Sequence, residues 1–199
     1  SITIFDDGTA IEFEAGLPDD VSPKEFWDTR IPQVNTRAAD MSFLIDKLQT
    51  MKNYTLYNSI DFNKIGIFGH SFGGATSVVT SWNDTRISAC LNLDGWFVPI
   101  VDEIINNGLK IPFCYIGQET WNNTPLNYPN LNTFYKNCSD DTYILKIKNT
   151  HHFDYADMPY FSSLGRMIIS GKNVDKNFTV RLSHLIAGFF NEYLKKEPY

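Results

Sequence analysis

Short apolar runs alternate with longer amphipathic segments from residue 64 to the end of the chain. The short runs predict β-strands, and the segments with an apolar residue at every third or fourth position predict α-helices. Strands separated by helices are typical of a parallel sheet that is covered on both faces. The predicted strands are 64–69, 88–94, 112–117 and 143–148, and the predicted helices are 73–82, 99–108, 128–137 and 178–196. The pattern therefore predicts an α/β fold.

The N-terminal part of the chain has a different pattern. Residues 1–16 predict two short strands around an Asp-Gly turn, which is a strong hairpin signal. Residues 17–26 predict an exposed connection, and residues 27–52 predict one amphipathic helix. The sequence contains no internal repeat and no sign of a second domain, so we expect residues 1–199 to form one domain.

Charge and composition exclude several classes of protein. The formal net charge of −6 and the pI near 5.1 disfavour a nucleic-acid partner, because such partners are bound largely by clustered Lys and Arg. No apolar run approaches the roughly 20 residues that span a bilayer. A neutral or zwitterionic lipid surface remains open to apolar contact.

Cysteines and glycosylation motifs bear on the compartment. The chain has 3 cysteines, and Cys138 lies in a polar stretch where pairing with another chain is easier than in an apolar run. Asn-x-Ser/Thr motifs begin at Asn53, Asn83, Asn122, Asn137 and Asn177. This number of acceptor motifs favours a secreted, extracellular glycoprotein.

The stretch KIGIFGHSFGGAT, residues 64–76, carries the clearest chemical motif. Its pattern Gly69-x-Ser71-x-Gly73 follows a predicted strand and precedes a predicted helix, which is the context of a nucleophile elbow. The small residues let neighbouring backbone pass while the serine side chain points out of the sheet. The amide of Phe72 then faces the oxyanion that forms when Ser71 attacks a carbonyl. Ser71 is the candidate nucleophile.

A serine hydroxyl needs a base and an orienting acid. Of the 4 histidines, His151 and His152 follow the last predicted strand, where a base of this kind belongs, and chemistry alone does not separate them. Asp94 and Glu119 each end a predicted strand, and either carboxylate can reach that histidine loop.

Several separated motifs resemble the platelet-activating-factor acetylhydrolase family of α/β-hydrolases. They are GHSFGGAT, LDGWFVPI and HFDYADM, together with the earlier stretches FDDGTAIEFEAGLPDD and TRAADMSFLIDKL. The resemblance implies Asp94 as the acid and His152 as the base. It also implies an ester hydrolase without a metal or other cofactor, acting on a lipid-like ester such as a phospholipid with a short or oxidised acyl group.

Two further regions are candidates for contact with a lipid substrate. Trp96 and Phe97 follow the acid and are candidates for lining an acyl pocket, although core packing is an equally good interpretation of two large aromatic residues. Residues 158–169 are rich in apolar side chains, and the resemblance places them near a membrane-facing surface. They are a candidate helix for peripheral lipid contact, with core packing as the alternative.

The predicted sheet lacks the strands that normally precede the nucleophile strand in an α/β-hydrolase. Those strands also supply the second oxyanion amide. We therefore expect residues 1–199 to be the C-terminal part of a longer precursor, with its N-terminal chain as a partner and Cys138 as a possible link between the two.

Two alternative functions remain open. A polyester or cutin hydrolase shares the Gly-His-Ser-x-Gly elbow and is favoured if the acid follows the later strand, as Glu119 does. A non-catalytic binding protein that kept the elbow is the other alternative, and the missing strands are its support.

Overall fold

The computed structural model describes residues 2–12, 21–139, 141–161, 168–172, 174–175 and 177–196. The strands are β1 (Ile2–Ile4), β2 (Ala10–Glu12), β3 (Ile65–His70), β4 (Ile87–Leu93), β5 (Phe113–Gln118) and β6 (Thr142–Ile147). The helices are α1 (Pro23–Thr50), α2 (Phe72–Asn83), α3 (Asp102–Asn107), α4 (Asn127–Asn137), α5 (Met158–Phe161) and α6 (Phe178–Phe190). Short 3-10 turns at Tyr57–Ser59 and His152–Tyr155 and a π-helical turn at Asn191–Lys195 complete the described elements.

Strands β3 to β6 form a parallel sheet in the order β3-β4-β5-β6. Helices α2, α3 and α4 connect successive strands, so every described strand of this sheet directs its carboxyl end to the same edge. Residues after these strands meet along that edge, where ligands bind in open α/β sheets. The parallel sheet that the pattern predicts is confirmed.

The two faces of the sheet bury separate apolar clusters. Alternate residues such as Ile67 and Phe113 face the core formed with α1, α2, α3 and α4. Their strand neighbours, such as Leu91 and Ile116, face α6 and the turn after β6. Burial on both faces explains why the two central strands, β4 and β5, are largely apolar, whereas β3 and β6 keep exposed side chains such as Phe68 and Tyr143.

Helix α1 begins earlier than the sequence pattern predicts. Ser22 accepts a hydrogen bond from the Glu25 amide, and the Glu25 carboxylate accepts one from the Ser22 amide, so a capping box starts the helix at Pro23. The connection predicted over 17–26 therefore ends before residue 23, and residues 13–20 lie outside the described part. Farther along the chain, Arg86 ties α1 to the α2–β4 turn through Asp46 and Asp84, each at 2.6 Å.

The hairpin of β1 and β2 is antiparallel, as predicted, with Asp7 and Gly8 in the turn between them. The helix predicted over 99–108 is shorter, because it begins after Val101 and ends at Gly108, whose φ is +61°. Of the lipid-contact candidate 158–169, residues 162–167 lie outside the described residues. Within the described part of the chain, no helix is both long and apolar enough to cross a bilayer.

Candidate active site

Ser71 lies between β3 and α2. Its backbone has φ +59° and ψ −121°, a conformation that residues other than glycine rarely adopt. Backbone hydrogen bonds to the neighbouring strand and helix hold it there. The Ser71 amide donates to the Leu93 carbonyl at 3.1 Å, and the Ser71 carbonyl accepts from the amides of Gly74 and Trp96 at 3.0 and 3.2 Å. Neighbouring strand and helix thus fix the serine above the sheet edge.

The steric demand of this turn falls on Gly69. A Cβ at Gly69 would lie 2.3 Å from the carbonyl oxygen of Gly73, which no backbone tolerates. A Cβ at Gly73 would meet no described atom within 4 Å. The sequence argument for two obligatory small residues is therefore supported sterically only at Gly69.

His152 is the first residue of the 3-10 turn that follows β6. Its Nε2 lies 2.9 Å from the Ser71 Oγ, and its Nδ1 lies 2.7 Å from the Asp94 Oδ2. An ionised carboxylate can only accept hydrogen bonds, so His152 Nδ1 carries the proton and donates to Asp94. Nε2 is then an acceptor for the Ser71 hydroxyl. The geometry brings together Ser71, His152 and Asp94, the three residues that the sequence and the resemblance nominate.

Asp94 follows β4 and is fully buried, with φ +41°. Its Oδ1 accepts from the Gln118 amide at 2.8 Å and from the Tyr115 hydroxyl at 3.2 Å. Glu119, the other candidate acid, is exposed. The carboxylate of Asp94 is therefore the one in contact with the histidine.

The second histidine of the pair has different contacts. His151 is exposed, its Nδ1 donates to the Ile169 carbonyl at 3.1 Å, and its amide donates to the buried Asp154 Oδ2 at 2.6 Å. The same Asp154 oxygen accepts from the Gly171 amide at 2.9 Å. Asp154 thus ties the histidine turn to the segment near Gly171, a loop-shaping contact that sequence reasoning missed.

His70 supports the same turn from the elbow. Its Nε2 donates to the His152 carbonyl at 2.9 Å, and the two rings lie 4.5 Å apart. Burial lowers the pKa of His70, and the positive charge of a protonated His152 lowers it further. A neutral His70 can therefore hold the histidine turn without competing for the Ser71 proton. The position of His70 next to Ser71 in the sequence does not predict its hydrogen bond with the His152 carbonyl.

Phe72, the candidate oxyanion residue, opens α2. The first amides of a helix have no acceptor within that helix, so they are free to face a developing negative charge. The Phe72 ring packs against Trp96 at 5.8 Å, with the Arg37 guanidinium 4.7 Å from its centre on the α1 side. These contacts fix the first turn of α2 beside Ser71.

A cleft of about 540 Å³ opens beside His152. Trp96 and Trp121 line it, together with residues of the loop after β5. Trp96 therefore lies where the sequence analysis placed a pocket residue, and Trp121 is a lining residue that it missed. Among the described residues, no three His, Cys, Asp or Glu side chains are grouped so that they could hold a metal ion.

Phe97 lies elsewhere and corrects the sequence analysis. Its side chain is fully buried in the core, with ring contacts to Phe113, Tyr115 and Phe134 at 5.3 to 6.3 Å. A residue with no exposed surface does not line a substrate pocket. Core packing, the alternative interpretation, describes Phe97.

Comparisons with known proteins agree with this architecture. The family model described as "Platelet-activating factor acetylhydrolase, isoform II" matches residues 30–197. The platelet-activating factor acetylhydrolase of Bos taurus is 28% identical over 154 residues, which cover 75% of this chain and 32% of that protein. The Gallus gallus protein of the same name is 26% identical over 144 residues, which cover 70% of this chain and 33% of that protein. The chain thus spans about a third of the length of these curated relatives.

A solved structure shows the same fold. The ferulic acid esterase from Streptomyces cinnamoneus superposes with a TM-score of 0.72 at 22% identity, covering 100% of this chain and 57% of that one. The α/β-hydrolase fold that the sequence predicts is confirmed. Because the family model covers most of the chain, the chain belongs to the family of platelet-activating factor acetylhydrolase, isoform II.

Proposed function

We propose that the protein is a serine carboxylic-ester hydrolase that works through an acyl-enzyme on Ser71. The observation that carries the proposal is the hydrogen-bonded chain from Ser71 Oγ through His152 to Asp94, with links of 2.9 and 2.7 Å. Membership of the family supports the same reaction class. The geometry is that of a serine whose proton has an acceptor and whose acceptor is held by a buried acid.

We assign each step to an atom of this chain. Ser71 Oγ attacks the acyl carbonyl while its proton passes to His152 Nε2. The Phe72 amide donates to the oxyanion, and His152 then gives its proton to the departing alcohol. In the second half, His152 takes a proton from water, the resulting hydroxide attacks the acyl carbon, and Ser71 leaves with the proton. Asp94 stabilises the imidazolium that forms in both halves.

The substrate that we propose is a lipid-like ester, in particular a phospholipid that releases a short or oxidised acyl group. The names of the curated relatives support this class. Trp96 and Trp121 give the cleft aromatic walls. Phe161 is 81% exposed and Ile168 is 73% exposed, and these two apolar residues after the histidine turn support peripheral contact with a lipid surface.

The alternative of a polyester or cutin hydrolase has less support. It is favoured by an acid after β5, and Glu119 at that position is exposed, while Asp94 contacts His152. A non-catalytic role has less support too, because His152 lies within hydrogen-bond distance of both Ser71 and Asp94.

We propose further that an N-terminal segment of the same precursor completes the sheet. In the described part of the chain β3 pairs with β4 alone, and Phe68 on β3 is 53% exposed. An open edge of this kind is a template for strand pairing. Such a segment would also bring the second oxyanion donor. Cys138 is half-buried, and burial raises the pKa of its thiol. A disulfide between Cys138 and that segment therefore has little support.

A fluorophosphonate, which modifies activated serines, tests the reaction class. We expect the intact-mass spectrum of the protein, purified together with its N-terminal segment, to gain one probe, and we expect Ser71→Ala to remain unlabelled. Ser59→Ala, which alters an exposed serine before β3, is the matched control and should be labelled like the unaltered protein. Activity on phosphatidylcholines with acetyl or palmitoyl at the second position then tests the substrate class.

The same spectrum separates the proposals. Labelling of residues 1–199 alone would show that Ser71 is activated without the N-terminal segment and would contradict its role in the oxyanion hole. Labelling only when the segment is present would support that role. A folded protein that takes up no probe in either form would contradict the hydrolase.

Secretion, which we also propose, predicts a particular pattern of glycans. Exposed sequon asparagines are Asn53, Asn83, Asn122 and Asn177. Asn137 is half-buried, and its amide nitrogen donates to the carbonyls of Thr133 and Ile105 at 2.9 and 3.4 Å. We therefore expect protein from a eukaryotic secretory host to carry glycans at exposed sequons and none at Asn137. Peptide mass mapping before and after enzymatic deglycosylation measures this, and a glycan at Asn137 would contradict the expectation.

A further inference from the structure

The oxygen of Asp94 that does not face His152 has a side-chain donor of its own. The Tyr115 hydroxyl lies 3.2 Å from Asp94 Oδ1. Tyr115 is fully buried on β5, and desolvation and the Asp94 charge raise the pKa of its hydroxyl far above the usual range. The hydroxyl therefore keeps its proton, and the carboxylate can only accept it.

The Tyr115 oxygen accepts a hydrogen bond in turn. The indole Nε1 of Trp121 lies 3.1 Å from it. An indole N–H can only donate, so the directions of both bonds are fixed, from Trp121 to Tyr115 and from Tyr115 to Asp94. The Trp121 ring also packs edge-on against the His152 ring, at 5.0 Å between centres, and lines the cleft.

The backbone leaves room for this arrangement. Gly117 lies beside it on β5, and a Cβ there would sit 2.5 Å from both Asp94 Oδ1 and the Tyr115 hydroxyl oxygen. Any other residue at position 117 would push these two groups apart. The close approach of tyrosine and carboxylate is thus built into the strand.

We propose that Trp121 and Tyr115 are positioning residues that fix the Asp94 carboxylate through two donated hydrogen bonds in series and link it to the wall of the cleft. The inference rests on the proposed function, in which Asp94 orients His152. It assigns a role to two aromatic side chains that have no described contact with Ser71, one of which, Trp121, also lines the cleft. Trp121 acts on the acid only through the Tyr115 hydroxyl.

Removing the hydroxyl has a defined consequence. In Tyr115→Phe the carboxylate loses one of two donors on Oδ1, is held less firmly, and keeps more negative charge to offer the imidazolium. We expect kcat to fall about tenfold, the size expected for a hydrogen bond to a charged group. We expect the acidic limb of the pH–rate profile to move up by about half a unit. KM should stay within about twofold, because the fully buried Tyr115 does not reach the cleft.

The decisive experiment is a double-mutant cycle on that acidic limb. Trp121→Phe keeps a ring beside His152 and removes the N–H, so we expect a smaller shift in the same direction. Adding Trp121→Phe to Tyr115→Phe should cause no further shift, because the indole N–H no longer has a route to the acid and the phenylalanine ring keeps the contact with His152. Additive shifts, or an unchanged profile in Tyr115→Phe, would overturn the series arrangement.

The variants keep the other titratable groups that face this pair. His70 packs on the His152 ring. The Tyr128 hydroxyl donates to the Gln118 carbonyl and also interacts with the Tyr115 hydroxyl, and the charge of Glu119 acts on Tyr128. Tyr143→Phe is the matched control. Tyr143 is exposed on β6, and its hydroxyl forms a hydrogen bond with the Tyr193 hydroxyl. It should leave kcat and the profile unchanged.

A measurement without turnover separates this inference from the proposed function. In the proton NMR spectrum we expect the Trp121 indole N–H, identified by its loss in Trp121→Phe, to move upfield and exchange faster in Tyr115→Phe. An unchanged resonance would contradict the hydrogen bond even in an inactive protein. Absence of probe labelling in the unaltered protein both with and without the N-terminal segment, together with the expected NMR shift, would instead overturn the hydrolase alone.

Discussion

His152→Gln is expected to lower kcat/KM by about 10⁴-fold, because the variant leaves Ser71 without a proton acceptor at 2.9 Å. Glutamine fills much of the same space, and its amide does not titrate in the physiological range. The effect should fall mainly on kcat, since the proton is transferred in the transition state. Initial rates with a chromogenic acetyl ester and the rate of fluorophosphonate labelling measure it.

His151→Gln is the matched control for that variant. His151 is adjacent in sequence and exposed, and its ring contacts the Ile169 carbonyl rather than Ser71 or Asp94. We expect kcat/KM to fall less than tenfold, because the variant only loosens the turn that carries His152. Equal losses in the two variants would mean that the shape of the turn, rather than the His152 imidazole, limits the reaction, and the assignment of the base would then be wrong.

The elements that position the site could be predicted because their signals are local. The run IGIF followed by Gly69, His70 and Ser71 contains both the strand and the tight turn that ends it. The order of strands and helices then places the segments after β4 and β6 at the same edge of the sheet. Ser71, a carboxylate at a strand end (Asp94 or Glu119) and a histidine after β6 follow from this order alone.

Contacts across the sheet could not be predicted in this way. Whether Phe97 or Trp96 faces the cleft depends on how α4 packs on the sheet, because Phe134 of α4 closes the core around Phe97. Tyr115 in the run IPFCYIG is indistinguishable from a core residue until its hydroxyl is seen beside Asp94. Its role depends on Gly117 and on a loop tryptophan, and neither position has a pattern of its own.

The choice between two candidate acids also depends on contacts across the sheet, so the sequence alone does not decide it. Asp94 and Glu119 both follow strands that end at the edge of the sheet, and the register of β4 on β5 decides between them. In that register the Asp94 amide donates to the Ile116 carbonyl, and the Gln118 amide donates to the Asp94 carboxylate. Backbone groups at the carboxyl end of β5 thus hold Asp94 in place.

Asp94→Asn should be as damaging as loss of the base, with a fall in kcat of about 10⁴-fold. The cause lies in the two donors on Oδ1, the Gln118 amide and the Tyr115 hydroxyl. They require an acceptor at that position, so the asparagine oxygen takes it and the amide NH₂ faces His152 Nδ1. A donor there moves the imidazole proton to Nε2, which can then no longer accept the proton of Ser71.

Glu119→Gln is the control, and we expect it to stay within about twofold of the unaltered protein, because Glu119 is exposed. Steady-state rates over a range of pH, with thermal unfolding of each variant, separate loss of mechanism from loss of fold. Since asparagine has nearly the same shape as aspartate, Asp94→Asn should unfold close to the unaltered protein. A large loss in Glu119→Gln with near-normal activity in Asp94→Asn would move the acid to the strand end after β5, which is the arrangement that favours a polyester hydrolase.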